Sequence, residues 1–267
     1  MEAVQAFVLG AVQGITEFLP ISSSGHLILV PRVLGWSDMG LAFDAMLHLG
    51  TLLAIVVYFW NDLLEIIRGF FNPRKYPQES TTAWGMILGT IPVVIVGLLF
   101  DDVIEQFTRT PVMVLVGSVV GTLALIMAHL RLRAQRFGKV ERWRLEQWLW
   151  IGLAQAMALF PGVSRSGITM AAAIRMGADA RMAARTAFLL GIPAFLGAGS
   201  LKAVQVAQES GAQALLATPV LVGLATAFVV GYAVIRWLMR VLAKQSLSVF
   251  IWYRLALAGV IAWLFLF

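Results

Sequence analysis

Long apolar segments, separated by short polar stretches, make up most of this chain. Six of them are long enough to cross a bilayer, because a membrane-spanning helix needs about 20 mostly apolar residues. The predicted spans cover residues 41–60, 84–100, 111–130, 182–201, 219–237 and 249–267. The pattern predicts an all-α integral membrane protein with six transmembrane helices.

Two further apolar regions are interrupted by a polar turn. The first covers residues 4–34 and is broken at 20–26, and the second covers 147–176 and is broken at 161–167. The arms beside each break are short for a crossing that takes about 20 residues. Non-helical backbone at membrane depth is tolerated only where it is buried in protein or lines a wet cavity. We interpret both regions as re-entrant helical hairpins.

The two broken regions match each other at a constant offset of 142 positions. The matched pairs are Gly10 with Gly152, Gln13 with Gln155, Phe18 with Phe160, Ser22 with Ser164, Ser24 with Ser166 and Gly25 with Gly167. Each region precedes three predicted spans, so a second copy would lie upside down. The sequence predicts one membrane domain over 1–267, built from inverted-topology repeats of about 1–135 and about 145–267. In such architectures the functional site lies near the bilayer midplane, where the broken helices meet.

Composition excludes a soluble enzyme and a disordered chain. Of the 267 residues, 60% are hydrophobic and 13% charged, whereas soluble domains have about 25% charged residues. The net charge of +6 would suggest nucleic-acid binding in a soluble chain, but in a membrane protein basic residues gather in cytoplasmic loops. We therefore expect no nucleic-acid partner. The chain has no cysteine, which excludes disulfides and cysteine metal sites.

The distribution of lysine and arginine predicts the orientation. In the six-span topology one side has only Arg32, Arg109 and Lys202, while the other carries most basic residues, including the loop 131–146. The basic side should be cytoplasmic, with both termini outside. The N-terminus lacks a basic leader region, so we expect the first apolar stretch to be retained. Residues 61–82 and 131–146 are the sizeable predicted loops.

The first break carries a cluster of polar residues. Gln13 and Glu17 are four positions apart and share a helix face, and a glutamate inside an apolar helix is a functional candidate. Hydroxyls and free N–H groups at a helix start suit an anion, and a histidine there can move protons. The alternative is a polar cap with a satisfied glutamate. The turn residues are Ser22, Ser23, Ser24, Gly25 and His26.

The second break centres on Arg165. A guanidinium at this depth needs a partner, and its fork of donors matches phosphate or carboxylate. The alternative is a structural ion pair with Glu17 or Asp44, and both roles can hold in turn if Arg165 leaves its carboxylate when phosphate arrives. The surrounding candidates are Ser164, Ser166, Gly167 and Thr169.

Four weaker candidates lie inside predicted spans. Asp44 and His48, four positions apart, either line a cavity or form a satisfied buried pair. Arg185 and Arg254 are either structural or gate-lining.

The two clusters resemble the motifs of the undecaprenyl-pyrophosphate phosphatase family, also called the bacitracin-resistance protein family. The first motif has glutamate or glutamine, three residues and glutamate, followed by proline, serines, glycine and histidine. Here it reads Gln13, Glu17, Pro20, Ser22, Ser23, Ser24, Gly25 and His26. The second motif is the proline-glycine-x-serine-arginine-serine-glycine run from Pro161 to Gly167. Because Gln13 takes the variable position, the first motif supplies one carboxylate in this chain.

The resemblance implies a hydrolase of the bacterial inner membrane, built from inverted repeats with re-entrant hairpins. Such an enzyme removes the terminal phosphate of undecaprenyl pyrophosphate and yields the monophosphate carrier of cell-wall synthesis. It implies a divalent metal, magnesium or calcium, for which Glu17 and Gln13 are the expected ligands. Membrane lipids and a second copy in a homodimer are the other expected partners. The implied substrate-binding residues are Gln13, Ser22, Ser24, Gly25, Ser164, Ser166, Gly167 and Thr169, and the implied catalytic residues are Glu17, Ser23, His26 and Arg165.

The sequence leaves three attacking groups open. In the preferred assignment Ser23 attacks, His26 is the general acid or base, and Glu17 helps to hold the metal or acts as base. Alternatively, His26 attacks while Glu17 orients it, or water attacks directly. A different class of function is a polyprenyl-phosphate flippase or another inverted-repeat secondary transporter. A carrier needs charge recognition but no nucleophile, so phosphate release by detergent-purified protein separates the two classes. A purely structural scaffold is disfavoured by Glu17 and Arg165.

Overall fold

Helices account for the regular structure of this protein. The computed structural model describes residues 3–37, 39–107, 110–134, 140, 142–244 and 246–266, and this part of the chain forms α-helices and short 3-10 turns without β-strands. The α-helices are α1 (Ala3–Thr16), α2 (Ser23–Val33), α3 (Gly40–Tyr58), α4 (Trp60–Phe71), α5 (Pro77–Phe107), α6 (Pro111–Arg133), α7 (Leu145–Ala156), α8 (Arg165–Arg175), α9 (Ala180–Ser210), α10 (Thr218–Val241) and α11 (Ser248–Leu266).

Five helical stretches are long and apolar enough to cross a membrane. They are Pro77–Phe100, Pro111–Arg133, Ala180–Glu209, Thr218–Lys244 and Ser248–Phe265. The helices α3 and α4 pass the same test only together, and they are bent by 79° at the break between them. The protein is thus an all-helical, multi-pass membrane protein with five candidate spans, or six if the bent pair counts as one.

The prediction of a polar loop over residues 61–82 was wrong. Most of this segment is helical, because α4 covers Trp60–Phe71 and α5 begins at Pro77. In α4 apolar residues recur at helical spacing and bury Ile66, while polar residues occupy the other face. Asp62 near its start and Arg68 near its end complement the helix dipole. Of the predicted basic loop 131–146, residues 135–139 and 141 lie outside the described part, as does the final predicted span residue, Phe267.

Both interrupted regions form pairs of short helices joined by a turn. The first helix pair consists of α1 and α2, joined by residues 17–22, and the second consists of α7 and α8, joined by residues 157–164. The interruptions overlap the predicted breaks at 20–26 and 161–167 but lie three or four residues earlier, because α2 already begins at Ser23 and α8 at Arg165.

Each helix pair packs closely against a long helix from the other half of the chain. In α1, a Cβ at Gly10 would collide with the carbonyl oxygen of Gly223 in α10. In α7, a Cβ at Gly152 would collide with the carbonyl oxygen of Gly89 in α5. Gly10 and Gly152 are matched at the 142-position offset, so equivalent glycines make equivalent close approaches. Small residues at such crossings let helix backbones approach within a membrane.

Candidate active site

The helices α2 and α8 begin with the same strained cap. Ser22 and Ser164, which precede them, have φ values of 76° and 73° and are the positive-φ residues other than glycine in the described structure. Each hydroxyl accepts a hydrogen bond from a backbone N–H three residues on, at 3.3 Å from Gly25 and 3.1 Å from Gly167. Left-handed backbone costs a serine about 1 kcal/mol, and such strain concentrates at functional sites.

The two interhelical turns are in direct contact, as the matched repeats predicted. The backbone N–H of Gly162 donates to the hydroxyl of Ser22 at 3.1 Å. The hydroxyl of Ser166 donates to the carbonyl oxygen of Leu19 at 3.1 Å. Polar groups that interrupt one helix pair therefore satisfy polar groups of the other pair, and the two clusters of the sequence form one composite site.

Glu17 joins both helix pairs at this contact, with a side chain that is 2% exposed. Its Oε1 accepts from Arg165 Nε at 3.3 Å and Nη2 at 3.1 Å. Its Oε2 accepts from the Ser23 hydroxyl at 2.6 Å and from Gln13 Nε2 at 3.1 Å. His48 Nε2 lies 3.3 Å from the same oxygen. Glu17 is the acceptor for the proton of the Ser23 hydroxyl in this arrangement.

Arg165 is held by two further groups, both from α9. Its Nη1 donates to the carbonyl oxygen of Ala187 at 2.8 Å, and its guanidinium lies 4.2 Å from the ring centroid of Phe195. A Cβ at Gly191 would occupy the position of Nη1, so the absence of a side chain there makes room for the guanidinium. The guanidinium of Arg165 is thus held between Glu17 and two groups of α9.

His26 is oriented by groups other than Ser23 and Glu17. Its Nδ1 lies 2.6 Å from the carbonyl oxygen of Ser22, and because a carbonyl only accepts, Nδ1 carries the proton. Its Nε2 lies 2.7 Å from the Tyr253 hydroxyl, and the two rings stack. Both ring nitrogens are therefore occupied, so the structure does not pair His26 with Ser23.

The other predicted site residues lie in the same place but mostly bond within their own turns. The hydroxyls of Ser22 and Ser24 are 3.3 Å apart, and those of Ser164 and Ser166 are also 3.3 Å apart. The Thr169 hydroxyl donates to the carbonyl oxygen of Arg165 at 2.7 Å, within α8.

For three residues of the site the sequence analysis predicted no definite role. His48 donates from Nδ1 to the backbone carbonyl of Asp44 at 2.7 Å, which directs Nε2 at Glu17. The sequence did contain a signal for His48, because it lies four positions after Asp44 inside an apolar span. Tyr253 carried no signal, because it lies 227 positions from His26. Arg254 was noted because it lies inside an apolar span. Its hydrogen-bond partners come from α6 and from both interhelical turns, which are distant from it in sequence, so the sequence did not reveal them.

The donor set fits a divalent metal that is held mainly by phosphate and water. No group of three or more acidic, histidine or cysteine side chains that could hold a metal occurs in the described part of the chain. However, Oε1 of Gln13 is buried without a hydrogen-bond partner, and Gln13 adjoins the Glu17 carboxylate. Magnesium commonly takes one or two protein oxygens and completes its shell with substrate phosphates and water.

The long apolar helices make this chain a multi-pass membrane protein. The groups buried between them, a carboxylate, an arginine fork and two hydroxyl-capped helix starts, are of the kinds that suit an anionic ligand. Over residues 6–260 the chain matches the family described as "Bacitracin resistance protein BacA", and it belongs to that family. It is 41% identical to an undecaprenyl-diphosphatase of Geotalea daltonii, over 100% of this chain and 99% of the relative. Its identity to the undecaprenyl-diphosphatase of Thermomicrobium roseum is 43%, covering 98% and 97% of the two chains. A further undecaprenyl-diphosphatase, from Geobacter sulfurreducens, is 42% identical over 99% of both chains.

Proposed function

We propose that this protein is an undecaprenyl-diphosphate phosphatase, which removes the terminal phosphate of undecaprenyl diphosphate and releases undecaprenyl phosphate. The observation that carries the proposal is the hydrogen bond of 2.6 Å from the Ser23 hydroxyl to Glu17, beside the guanidinium of Arg165. A nucleophile, a proton acceptor and an anion-binding fork are thus assembled in one buried place. Full-length similarity to proteins named for this activity supports the choice of substrate.

The pyrophosphate group is recognised by Arg165 and the hydroxyl-rich starts of α2 and α8. Two donors of Arg165, Nε and Nη2, bond Glu17. An arriving phosphate competes for these donors, and its bidentate geometry suits the fork. Once Arg165 turns to phosphate, Glu17 loses a neutralising partner and becomes a better proton acceptor for Ser23.

In the first chemical step the Ser23 oxygen attacks the terminal phosphorus. A bond forms between Oγ and phosphorus, the bond from that phosphorus to the bridging oxygen breaks, and undecaprenyl phosphate leaves with the electron pair. The Ser23 proton passes to Glu17. Phosphoryl transfer depends mainly on positioning and charge neutralisation, which fits a site where the nucleophile is already hydrogen-bonded to its base.

In the second step water attacks the phosphoserine. A bond forms between the water oxygen and phosphorus while the bond from phosphorus to Oγ breaks. Glu17 returns its proton to Ser23, and both protons of the water leave with inorganic phosphate. His26 faces Tyr253 and the Ser22 carbonyl rather than Ser23. We therefore assign it to orienting the turn and to proton exchange at its Tyr253 side, and we favour Ser23 over His26 and over direct attack by water.

A magnesium or calcium ion, when bound, would be held by Glu17 and the free carbonyl oxygen of Gln13 together with the pyrophosphate oxygens. It would supply positive charge against the oxygens of the transferring phosphate. The residues of the chain retain their own tasks, since Arg165 binds phosphate and Glu17 accepts the proton of Ser23.

The fuller architecture belongs to the same proposal. The matched turns and the reciprocal packing of Gly10 and Gly152 support two inverted repeats, with the two helix pairs as re-entrant hairpins within one membrane domain. The basic segments favour a cytoplasmic side opposite both termini, in the inner membrane of a bacterium. The role of the product as a carrier for cell-wall precursors favours a site that opens to the outer face.

A flippase or secondary transporter is the less favoured function. Such a protein needs a charged site, but it has no use for a serine hydroxyl hydrogen-bonded to a buried carboxylate. The deciding experiment measures phosphate release from undecaprenyl diphosphate by purified protein in detergent with magnesium. Detergent micelles have no second compartment, so turnover that is lost with Ser23→Ala supports the phosphatase, and no turnover by the wild-type protein contradicts it.

A further inference from the structure

Arg254 is a fully buried arginine that contacts both interhelical turns. From α11 its Nη1 donates to the carbonyl oxygen of Pro20 at 3.2 Å, in the turn of the first helix pair. Its Nη2 donates to the carbonyl oxygen of Gly162 at 2.7 Å, in the turn of the second pair. The same Nη2 donates to the carbonyl oxygen of Ser118 at 3.0 Å, and Nε donates to the Thr122 hydroxyl at 3.0 Å, both in α6.

Every partner of Arg254 in the described structure is a carbonyl or hydroxyl oxygen, and none is a carboxylate. A buried cation without a counter-charge is costly at membrane depth. However, the carbonyls of a non-helical turn are equally costly if they remain unbonded. One guanidinium offers five donors in a rigid plane, so it can satisfy both turns and α6 at once, whereas a lysine ammonium cannot match that fork.

We infer that Arg254 is a positioning residue, whose guanidinium ties the turns of the two helix pairs together and so fixes the Ser23 hydroxyl relative to the guanidinium of Arg165. Pro20 lies three positions before Ser23, and Gly162 lies three positions before Arg165. Holding these two carbonyls on one rigid group therefore sets the separation of the two active groups. The inference rests on the proposed phosphatase function. It adds α11 to the two helix pairs as a part of the protein that positions the active groups.

Two neighbouring contacts show that the site is built around this guanidinium. A Cβ at Gly121 would collide with Nη2 of Arg254, so α6 leaves room for it with a glycine. The preceding residue, Tyr253, bonds His26 at 2.7 Å. Two consecutive residues of α11 thus hold the first helix pair at separate points, Tyr253 at His26 of α2 and Arg254 at the Pro20 carbonyl of the turn.

The test combines kinetics with a distance measurement. The chain has no cysteine, so cysteines at the exposed positions Ile15 and Met157 can carry nitroxide labels, one on each helix pair. The labelled parent protein must first retain turnover. Electron–electron resonance then reports the distribution of distances between the pairs in the parent, in Arg254→Lys and in the control Arg185→Lys. Arg185 is a suitable control because its guanidinium bonds Asp62 of α4 and not the two turns.

For Arg254→Lys we expect a broader distance distribution and a kcat lower by roughly 10- to 100-fold, as displacements of about 1 Å commonly cause. The KM should stay near that of the parent, because Arg165 still binds the phosphate. Arg185→Lys should match the parent in both measurements. If Arg254→Lys does not fold, Thr122→Val replaces it in the test, since this change removes one acceptor of the guanidinium. We expect a broader distance distribution and a lower kcat here too, both by a smaller amount.

Parental kcat in folded Arg254→Lys protein would overturn the positioning role. A reduced kcat with an unchanged distance distribution would overturn it too, since the residue would then act in another way. The proposed phosphatase function has its own test, because it is wrong if the wild-type protein releases no phosphate. In that case the distance measurement still tests whether Arg254 ties the two turns together.

Discussion

Glu17 is the residue on which both helix pairs and α3 converge. It accepts hydrogen bonds from Arg165 of the second pair, from Ser23 and Gln13 of the first, and it lies 3.3 Å from Nε2 of His48. Each of these donors lowers the cost of a buried carboxylate. The same donors also define what each side chain contributes, so single substitutions should have separable effects on turnover.

Arg165→Lys keeps the positive charge but loses the fork. A lysine has one nitrogen, which cannot replace the bonds of three guanidinium nitrogens to Glu17 and the Ala187 carbonyl or grip phosphate in bidentate fashion. We expect kcat/KM to fall by about 10- to 100-fold, since bonds to charged groups contribute about 1.5–3 kcal/mol. The measurement is the rate of phosphate release by the folded variant. Arg181→Lys is the control, because Arg181 bonds the Met239 carbonyl and not Glu17. Wild-type turnover by Arg165→Lys would exclude the clamp role.

Ser23→Ala and His26→Ala should differ in kind. If Ser23 attacks, Ser23→Ala should leave only the slow reaction with water, a loss of at least about 10³-fold. His26→Ala should cost less, near the lower end of the 10²–10⁴-fold range typical of lost acid–base groups.

Trapping the phosphoenzyme separates the alternatives to Ser23. Acid quenching should preserve a phosphoserine in the wild-type protein and none in Ser23→Ala. An adduct that is trapped only by rapid acid-free quenching and that disappears in His26→Ala would show that His26 attacks. Equal, modest losses from both substitutions would leave water as the attacking group.

Glu17→Gln should damage activity far more than Gln13→Ala. The first change removes the acceptor of the Ser23 proton and the counter-charge of Arg165, and we expect a loss of about 10³-fold. The second removes one donor at 3.1 Å and a free carbonyl, and we expect about 10-fold with a higher magnesium requirement. Magnesium titrations of turnover measure both. Equal losses would mean that Glu17 is a structural cap.

At the scale of elements, α9 supplies the wall against which Arg165 lies. Its Ala187 carbonyl and Phe195 ring hold the guanidinium, and Gly191 lies between them in the sequence and makes room for it. A long helix positions these groups more rigidly than a loop could. Gly191 is therefore needed to make room for Arg165, whereas the helix itself would tolerate a larger residue at this position.

Gly191→Ala tests that requirement against Gly197→Ala, which lies on the same helix. A Cβ at Gly191 would collide with Arg165 Nη1, whereas a Cβ at Gly197 meets nothing within 4 Å. Both changes favour helix formation by roughly 1 kcal/mol. We expect Gly197→Ala to raise the Tm with unchanged turnover, and Gly191→Ala to lower kcat/KM at least 10-fold, the equivalent of about 1.4 kcal/mol. Equal turnover in both variants would show that Arg165 has another position available.

At the scale of the whole molecule, the helix pairs contact each other through turns and contact the opposite half through glycines. This arrangement brings the two interrupted regions to one place, and the proposed repeats of opposite orientation would place them so. The proposed topology also predicts which connections between helices face the same side of the membrane.

Single cysteines in this cysteine-free chain test the orientation. Arg74→Cys lies between α4 and α5, and Gln213→Cys lies between α9 and α10. The distribution of basic residues predicts that Gln213→Cys reacts with a membrane-impermeant thiol reagent in intact spheroplasts. Arg74→Cys should react only after lysis. The reverse pattern would invert the topology, and equal labelling of both would contradict the odd number of crossings between them.

The sequence by itself determined the helices, their breaks and the residues that gather at the breaks. Apolar length and the positions of proline, glycine and serine are local properties, so the interruptions near residues 20 and 161 could be located without coordinates. The match at 142 positions then predicted that the two turns would meet. The helix α4 was missed although its apolar residues recur at helical spacing, because its 12 residues are too few for a membrane span.

Only the tertiary structure decided which side chains become partners. Arg165 and Glu17 are 148 positions apart, His26 and Tyr253 are 227 apart, and Arg254 and Pro20 are 234 apart. The sequence left both His26 and Glu17 as possible proton partners of Ser23, and in the fold Ser23 bonds Glu17 while His26 bonds Tyr253. Such bonds span about 3 Å, so they depend on how helices from both halves pack against each other, and no local pattern records that distance.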